Sequence, residues 1–167
     1  QMANRAQFKR MAKLGVGVNL FSNHLYYWGD AHISITMGPE RAARLDDAGG
    51  ALAENVPLAI HSDAPVTALA PLFTAWCAVN RVSSKGVTLG GETEKLTVEQ
   101  ALYAITMGAA YSLRMDHEIG SLEVGKRADV AILEADPLQV EAAHLKDIAV
   151  YGTILGGKVH VNKRGAK

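Results

Sequence analysis

The sequence predicts an α/β protein whose chemistry sits at the end of a buried strand. Three observations carry this. Pro57-Leu58-Ala59-Ile60 is a short apolar run that ends in the ionisable cluster His61-Ser62-Asp63, with Pro65 just beyond. It is too short for a helix and suits a strand buried on both faces. Val98, Ala101, Leu102, Ile105, Ala109 and Leu113 form an apolar stripe at helical spacing. After His117 the chain breaks into short, Gly-punctuated, β-like segments.

In order along the chain, Met2 to Leu14 alternates apolar with basic residues and predicts a helix ending at Gly15. Val16 to Phe21 predicts a strand, with Gly15 and Gly17 allowing close backbone approach. Ser22 to Asp30 follows as a loop holding His24, Tyr26, Tyr27, Trp28 and Asp30. That mixture suits either a binding loop or a structural plug. Pro39 to Asp47 predicts a helix with Pro39 in its first turn. Gly49-Gly50 interrupts it, and a second short helix covers Ala51 to Asn55. The strand at Pro57 comes next, then a helix from Ala70 to Arg81 and a loop through Gly90-Gly91.

Thr97 with Gln100 three residues later is a capping-box pattern opening the clearest helix, in which Gly108 permits close packing. Ile119 to Arg127 reads as β-like, Ala128 to Glu134 as a strand, and Ile148 to Val161 as a hairpin turning at Gly156-Gly157. Asp129 is expected to bond backbone. Asp116-His117-Glu118 is expected to be a solvated linker, and Lys158 and His160 surface groups. The polar tail from Asn162 is expected to fray.

The 167 residues suit one domain or a piece of a larger one. Seventeen basic and seventeen acidic side chains cancel, which argues against a binder of nucleic acid or anionic membrane driven by bulk charge. No apolar run approaches a membrane span. The single Cys77, within Leu72 to Val79, excludes an internal disulfide framework and a cysteine metal site; a reducing cytoplasm is the expected location. Gln1 is not an initiator and the chain opens inside a helix, so a fragment is expected.

Alternation along a strand puts His61 and Asp63 on one face. A carboxylate and an imidazole at the C-terminal end of an apolar strand is where α/β proteins hold their chemistry. Asp63 equally suits a helix cap or a turn before Pro65.

Two stretches together resemble the amidohydrolase superfamily. His61-Ser62-Asp63-Ala64-Pro65-Val66 resembles its last barrel strand. Leu96 to Leu102, followed by Gly120-Ser121-Leu122-Glu123-Val124-Gly125-Lys126-Arg127-Ala128-Asp129-Val130, resembles the segment that leaves the barrel and builds its side β-sandwich. Gly15 to Asp30, with Leu25-Tyr26-Tyr27-Trp28-Gly29-Asp30 after His24, is most similar to amidohydrolase family 3, which includes N-substituted formamide deformylase-like proteins. Ser22-Asn23 stands where that branch often has Gln-Pro.

The resemblance implies the C-terminal part of a distorted (β/α)8 barrel. Strands seven and eight with their helices would occupy residues 1–115, and the C-terminal strands of a composite β-sandwich residues 116–167. The His-x-His of strand one, the bridging residue of strand four and the histidines of strands five and six would lie outside this chain. The implied activity is metal-dependent hydrolysis of a non-peptide C–N bond in a small amide or formamide. Asp63 matches the strand-eight carboxylate that ligates metal and carries the proton of water. His24 and His61 are candidate substrate-binding groups, with packing as the alternative for His61. The implied cofactor is a divalent metal, zinc first, whose other ligands are missing here, so the chain alone is expected to be inactive. Open sheet edges would favour self-association or pairing with the missing N-terminal part. The alternative is a non-catalytic interaction or regulatory module derived from a hydrolase tail.

Overall fold

The computed structural model describes residues 1–162; the rest of the expected polar tail lies outside the described residues. The chain starts with helix α1 (Arg5–Leu14). The Asn4 side chain accepts from Gln7 N while the Gln7 side chain accepts from Asn4 N, so two orphan donors are satisfied reciprocally. Gly15 ends the helix at φ 65°, a conformation that favours glycine. Strand β1 (Val18–Leu20) follows and pairs in parallel with β2 (Leu58–Ile60), Val18 opposite Leu58 and Leu20 opposite Ile60. Leu20, Leu58 and Ile60 are buried, and the core around them draws on Phe8, Val56, Ala75, Trp76, Ala101 and Ala104.

Between the two strands the structure departs from the sequence expectation twice. Ser22 to Asp30 is not a loop: Asn23–Ala31 is helix α2, continuing into a π-helical turn over His32–Thr36. The reason is tertiary. Leu25 and Gly29, four apart, face a second small core of Ala42, Leu45 and Leu89. A Cβ on Gly29 would lie 2.9 Å from the Leu89 side chain. After α3 (Pro39–Ala43), the Gly49-Gly50 pair does not interrupt a helix but lies inside α4 (Ala48–Ala53). Asp47 caps it by accepting from Gly50 N at 2.7 Å, and a Cβ on Gly49 would meet the Thr93 carbonyl at 2.4 Å.

Helix α5 (Pro71–Asn80) follows β2. The capping box at Thr97 and Gln100 forms as expected and opens α6 (Val98–Ile105). The expected single helix to Leu113 is broken at Thr106 (φ −118°, ψ −90°), and α7 (Met107–Ser112) runs separately. The Thr106 hydroxyl donates to the Leu102 carbonyl at 2.7 Å, a bond that competes with the helix ladder.

The segment from Ile119 to Arg127 is turns rather than strand. Lys126 ties it by donating to Ser121 Oγ at 2.7 Å, and Gly125 sits at φ 97°. Strands β3 (Val130–Leu133), β4 (Val150–Leu155) and β5 (Lys158–Val161) form an antiparallel sheet in that order. Gly156 and Gly157, both at positive φ, make the two-residue turn the sequence predicts. Asp129 accepts from Gly156 N at 2.7 Å, so it does bond backbone. The turn over Ala142–Asp147 reaches back to α5: Trp76 Nε1 donates to the Ala143 carbonyl at 2.8 Å, and Leu145 is buried in the main core.

Candidate active site

Because β1 and β2 are parallel, their C-terminal ends open on the same edge. The chain beyond each end supplies the candidate groups. His61 follows β2, and its N–H donates to the Leu20 carbonyl at 2.9 Å, extending the ladder by one residue. His24 lies in the first turn of α2, just beyond β1. Buried Phe21 sits between them. Its ring stacks on His61 (5.2 Å, 18°) and meets His24 edge-on (5.0 Å, 62°). Trp28, one turn further along α2, stacks on His24 at 4.5 Å.

Asp63 does not share the strand face the alternation implies. The strand ends at Ile60, and Asp63 adopts φ 52°, a left-handed conformation that Asp tolerates better than most residues. Its side chain is exposed and makes no hydrogen bond or ion pair among the described residues. Its negative charge nevertheless acts on both imidazoles. His24 is held below the usual histidine range, first by burial, then by repulsion from His32 and the N-terminus, with Asp63 opposing. Burial likewise lowers His61, and Asp63 again opposes. Both imidazoles therefore favour the neutral form.

The structure adds His32, Thr36 and Thr67, which the sequence reading did not single out. His32 Nε2 lies 2.9 Å from His24 Nδ1, and His32 Nδ1 lies 2.7 Å from Thr36 Oγ1. The rings of His24 and His32 are nearly parallel, 5.0 Å apart. Buried Asn23 donates to Thr67 Oγ1 at 2.8 Å, and Thr67 donates to the Ser62 carbonyl. This pins the loop after β2 to the start of α2. The signal for His32 was its spacing of eight from His24, about two helical turns, which is visible only once the segment is read as helix.

Other groups have structural duties. Asp30 accepts from Ser83 Oγ at 3.0 Å and from Ser84 Oγ at 3.4 Å, ordering that loop. Glu118 pairs with Arg127 and with His117, at the surface. Lys158 and His160 are exposed, and Cys77 is buried with its thiol pushed well above the usual range by burial. A cavity of about 900 Å³ between α5, α6 and the tail sheet is apolar, lined by Leu69, Phe73, Leu102, Ile119, Val130 and Ile148 among others, and includes none of the site groups.

No group of three or more His, Cys, Asp or Glu side chains suited to a metal ion occurs among the described residues. Asp63 fits as one open carboxylate ligand, but the described residues do not form a complete metal site. No described helix is long and apolar enough to cross a membrane.

A sequence profile of the amidohydrolase family matches residues 1–161. The chain is similar to the N-substituted formamide deformylase of Arthrobacter pascens, 27% identical over 165 residues, covering 99% of this chain and 30% of that protein. Among solved structures it is similar to an uncharacterized metal-dependent hydrolase from Pyrococcus furiosus (TM-score 0.63, 25% identity, 76% of this chain and 25% of that one). It also shares its fold with an adenosine deaminase from Xanthomonas campestris solved with bound zinc (TM-score 0.55, 21% identity, 97% of this chain and 50% of that one). The chain thus spans 30% of the length of its curated relative from Arthrobacter. With a family match over 161 residues and site groups gathered at parallel strand ends, the chain belongs to the amidohydrolase family.

Proposed function

We propose that this chain is the C-terminal share of a metal-dependent hydrolase that cleaves a non-peptide C–N bond in a small amide, with formamides first. The observation that carries this is the convergence of His24, His61 and Asp63 at the joint C-terminal edge of β1 and β2. In this reading β1 and β2 are strands seven and eight of a (β/α)8 barrel spanning residues 1–115 and completed by a longer parent. Residues 116–167 belong to its β-sandwich, and the protein is cytoplasmic.

Among the described residues Asp63 is the ligand offered to a divalent metal, zinc first. When bound, that ion supplies an activated water near neutral pH. The exposed, unpartnered Asp63 carboxylate takes the proton of the water and passes it to the leaving amine. His24, kept neutral by burial, donates a hydrogen bond to the amide carbonyl oxygen as negative charge develops there. His61, held against Phe21, orients the substrate. Trp28, stacked on His24, favours an apolar or aromatic substituent on nitrogen.

The test uses the longer parent and the 167-residue chain side by side. Asp63→Ala in the parent should lower bound metal and abolish turnover of an N-formyl amine; unchanged metal content and rate would defeat the assignment. The purified 167-residue chain should show no steady turnover, since one carboxylate cannot close a metal site.

A second reading, a non-catalytic module that self-associates, draws on one observation: the β1–β2 sheet has only two strands among the described residues. Light scattering over a concentration series would support it through reversible assembly, whereas a strict monomer would count against it.

A further inference from the structure

The His24–His32–Thr36 chain is not used by the proposed reaction beyond its first member. Its geometry allows two neutral proton arrangements. In one, the Thr36 hydroxyl donates to His32 Nδ1, His32 Nε2–H donates to His24 Nδ1, and His24 carries its proton on Nε2. In the other, every bond is reversed: His24 donates from Nδ1, His32 donates from Nδ1 to Thr36, and the far nitrogen of His24 is a bare lone pair. The 2.9 Å and 2.7 Å separations require one of the two, because two N–H groups or two lone pairs facing each other would break the bond.

We propose that His32 and Thr36 are positioning residues that hold His24 in the tautomer with its proton on Nε2, making His24 a fixed hydrogen-bond donor rather than a base. The donor role proposed for His24 selects this arrangement, because only there does the ring nitrogen not bonded to His32 carry a proton. The packing enforces the geometry. His24 is stacked on Trp28 and braced by Phe21, while His32 and Thr36 sit one turn apart in the π-helical segment, so no ring rotates freely. A second imidazole supported by a hydroxyl thus takes the role that a carboxylate or backbone carbonyl often plays for a functional histidine.

The inference deepens the donor role proposed for His24 and rests on that reading for its meaning, but its test needs neither substrate nor metal. Long-range ¹H–¹⁵N spectra of the 15N-labelled 167-residue chain at pH 8, with His24 assigned through His24→Gln, read the protonation of each ring nitrogen. The expected result is a pyrrole-like Nε2 and a pyridine-like Nδ1. His32→Ala should move both His24 signals toward the averaged positions of free imidazole, and Thr36→Val should do so in part. His32→Gln, whose amide can donate to His24 Nδ1, should restore the wild-type pattern. A pyrrole-like Nδ1 in the wild type, or His24 signals indifferent to His32→Ala, would overturn the proposal. Loss of the hydrolase reading with the tautomer intact would instead leave the relay standing without a reaction.

Discussion

Gly108 of α7 lies so close to the carbonyl of Leu58 in β2 that a Cβ placed on it would fall 2.1 Å from that oxygen. This contact seats a helix directly on the strand that delivers His61 and Asp63. Gly108→Ala should gain a little helix propensity, yet the clash is with backbone that cannot move without shifting β2. Overpacking of this kind costs about 2 kcal/mol. A denaturant series should show a lower midpoint at unchanged slope, and a Gly108→Ala protein as stable as the wild type would mean that the strand yields freely.

Arg81 is fully buried, and its guanidinium is satisfied wholly by backbone. Nε donates to Leu89 O at 2.8 Å, Nη1 to Asp46 O at 2.8 Å, and Nη2 to Leu45 O at 2.6 Å and Ala43 O at 3.2 Å. Arg81→Met would orphan these carbonyls in the interior at a cost of about 3 kcal/mol or more. Arg81→Lys should recover only part, because an ammonium cannot reproduce the planar fork. Thermal unfolding of both variants checks the order wild type, Lys, Met.

Asp46 beside it carries a carboxylate with no hydrogen-bond partner for either oxygen, and burial pushes its pKa up to about 7, against the pull of the N-terminus and Arg81. An acid whose folded pKa lies above its unfolded value binds protons more tightly when folded. It therefore adds stability as pH falls from about 7 toward its unfolded value of 3.8. Asp46→Asn should raise stability at pH 8 and remove that gain on acidification. The outcome that would refute this is a variant less stable than wild type at pH 8 with the same pH profile.

His24 and His61 work in the opposite direction. Both are depressed below 6.5 by burial, so the stability they contribute is present above 6.5 and is lost as pH falls through their folded values. With Asp46→Asn as the background, stability should decline below pH 6.5. Replacing both imidazoles by Gln should flatten that decline, measured as denaturant midpoint against pH.

The reciprocal cap at Thr97 and Gln100 is local and testable by itself. Thr97→Ala removes the acceptor for Gln100 N, now bonded at 3.1 Å, and should cost about 1 kcal/mol. Thr97→Ser should retain most of it, read by thermal unfolding.

The sequence by itself determined those features whose cause lies within a few residues. Thr97 with Gln100 starts α6, Gly15 ends α1, Gly156-Gly157 turns β4 into β5, and Leu58 to Ile60 is a buried strand ending at His61. The placement of His24, His61 and Asp63 at one edge was also foreseeable, because parallel strands bring successive C-terminal ends together. Tertiary structure decided what local pattern leaves balanced. Asn23–Ala31 became helix because Leu25 and Gly29 meet Leu89, 60 or more residues away in sequence, and burial there outweighs the weak propensities of Tyr, Trp and Gly. Gly49 lies against the Thr93 carbonyl and Gly108 against the Leu58 carbonyl, close approaches that partners far away in sequence impose. The contact between His24 and His32 followed from that same decision over Asn23–Ala31, since a helical rise keeps residues eight apart within about 12 Å, whereas a strand would hold them about 26 Å apart.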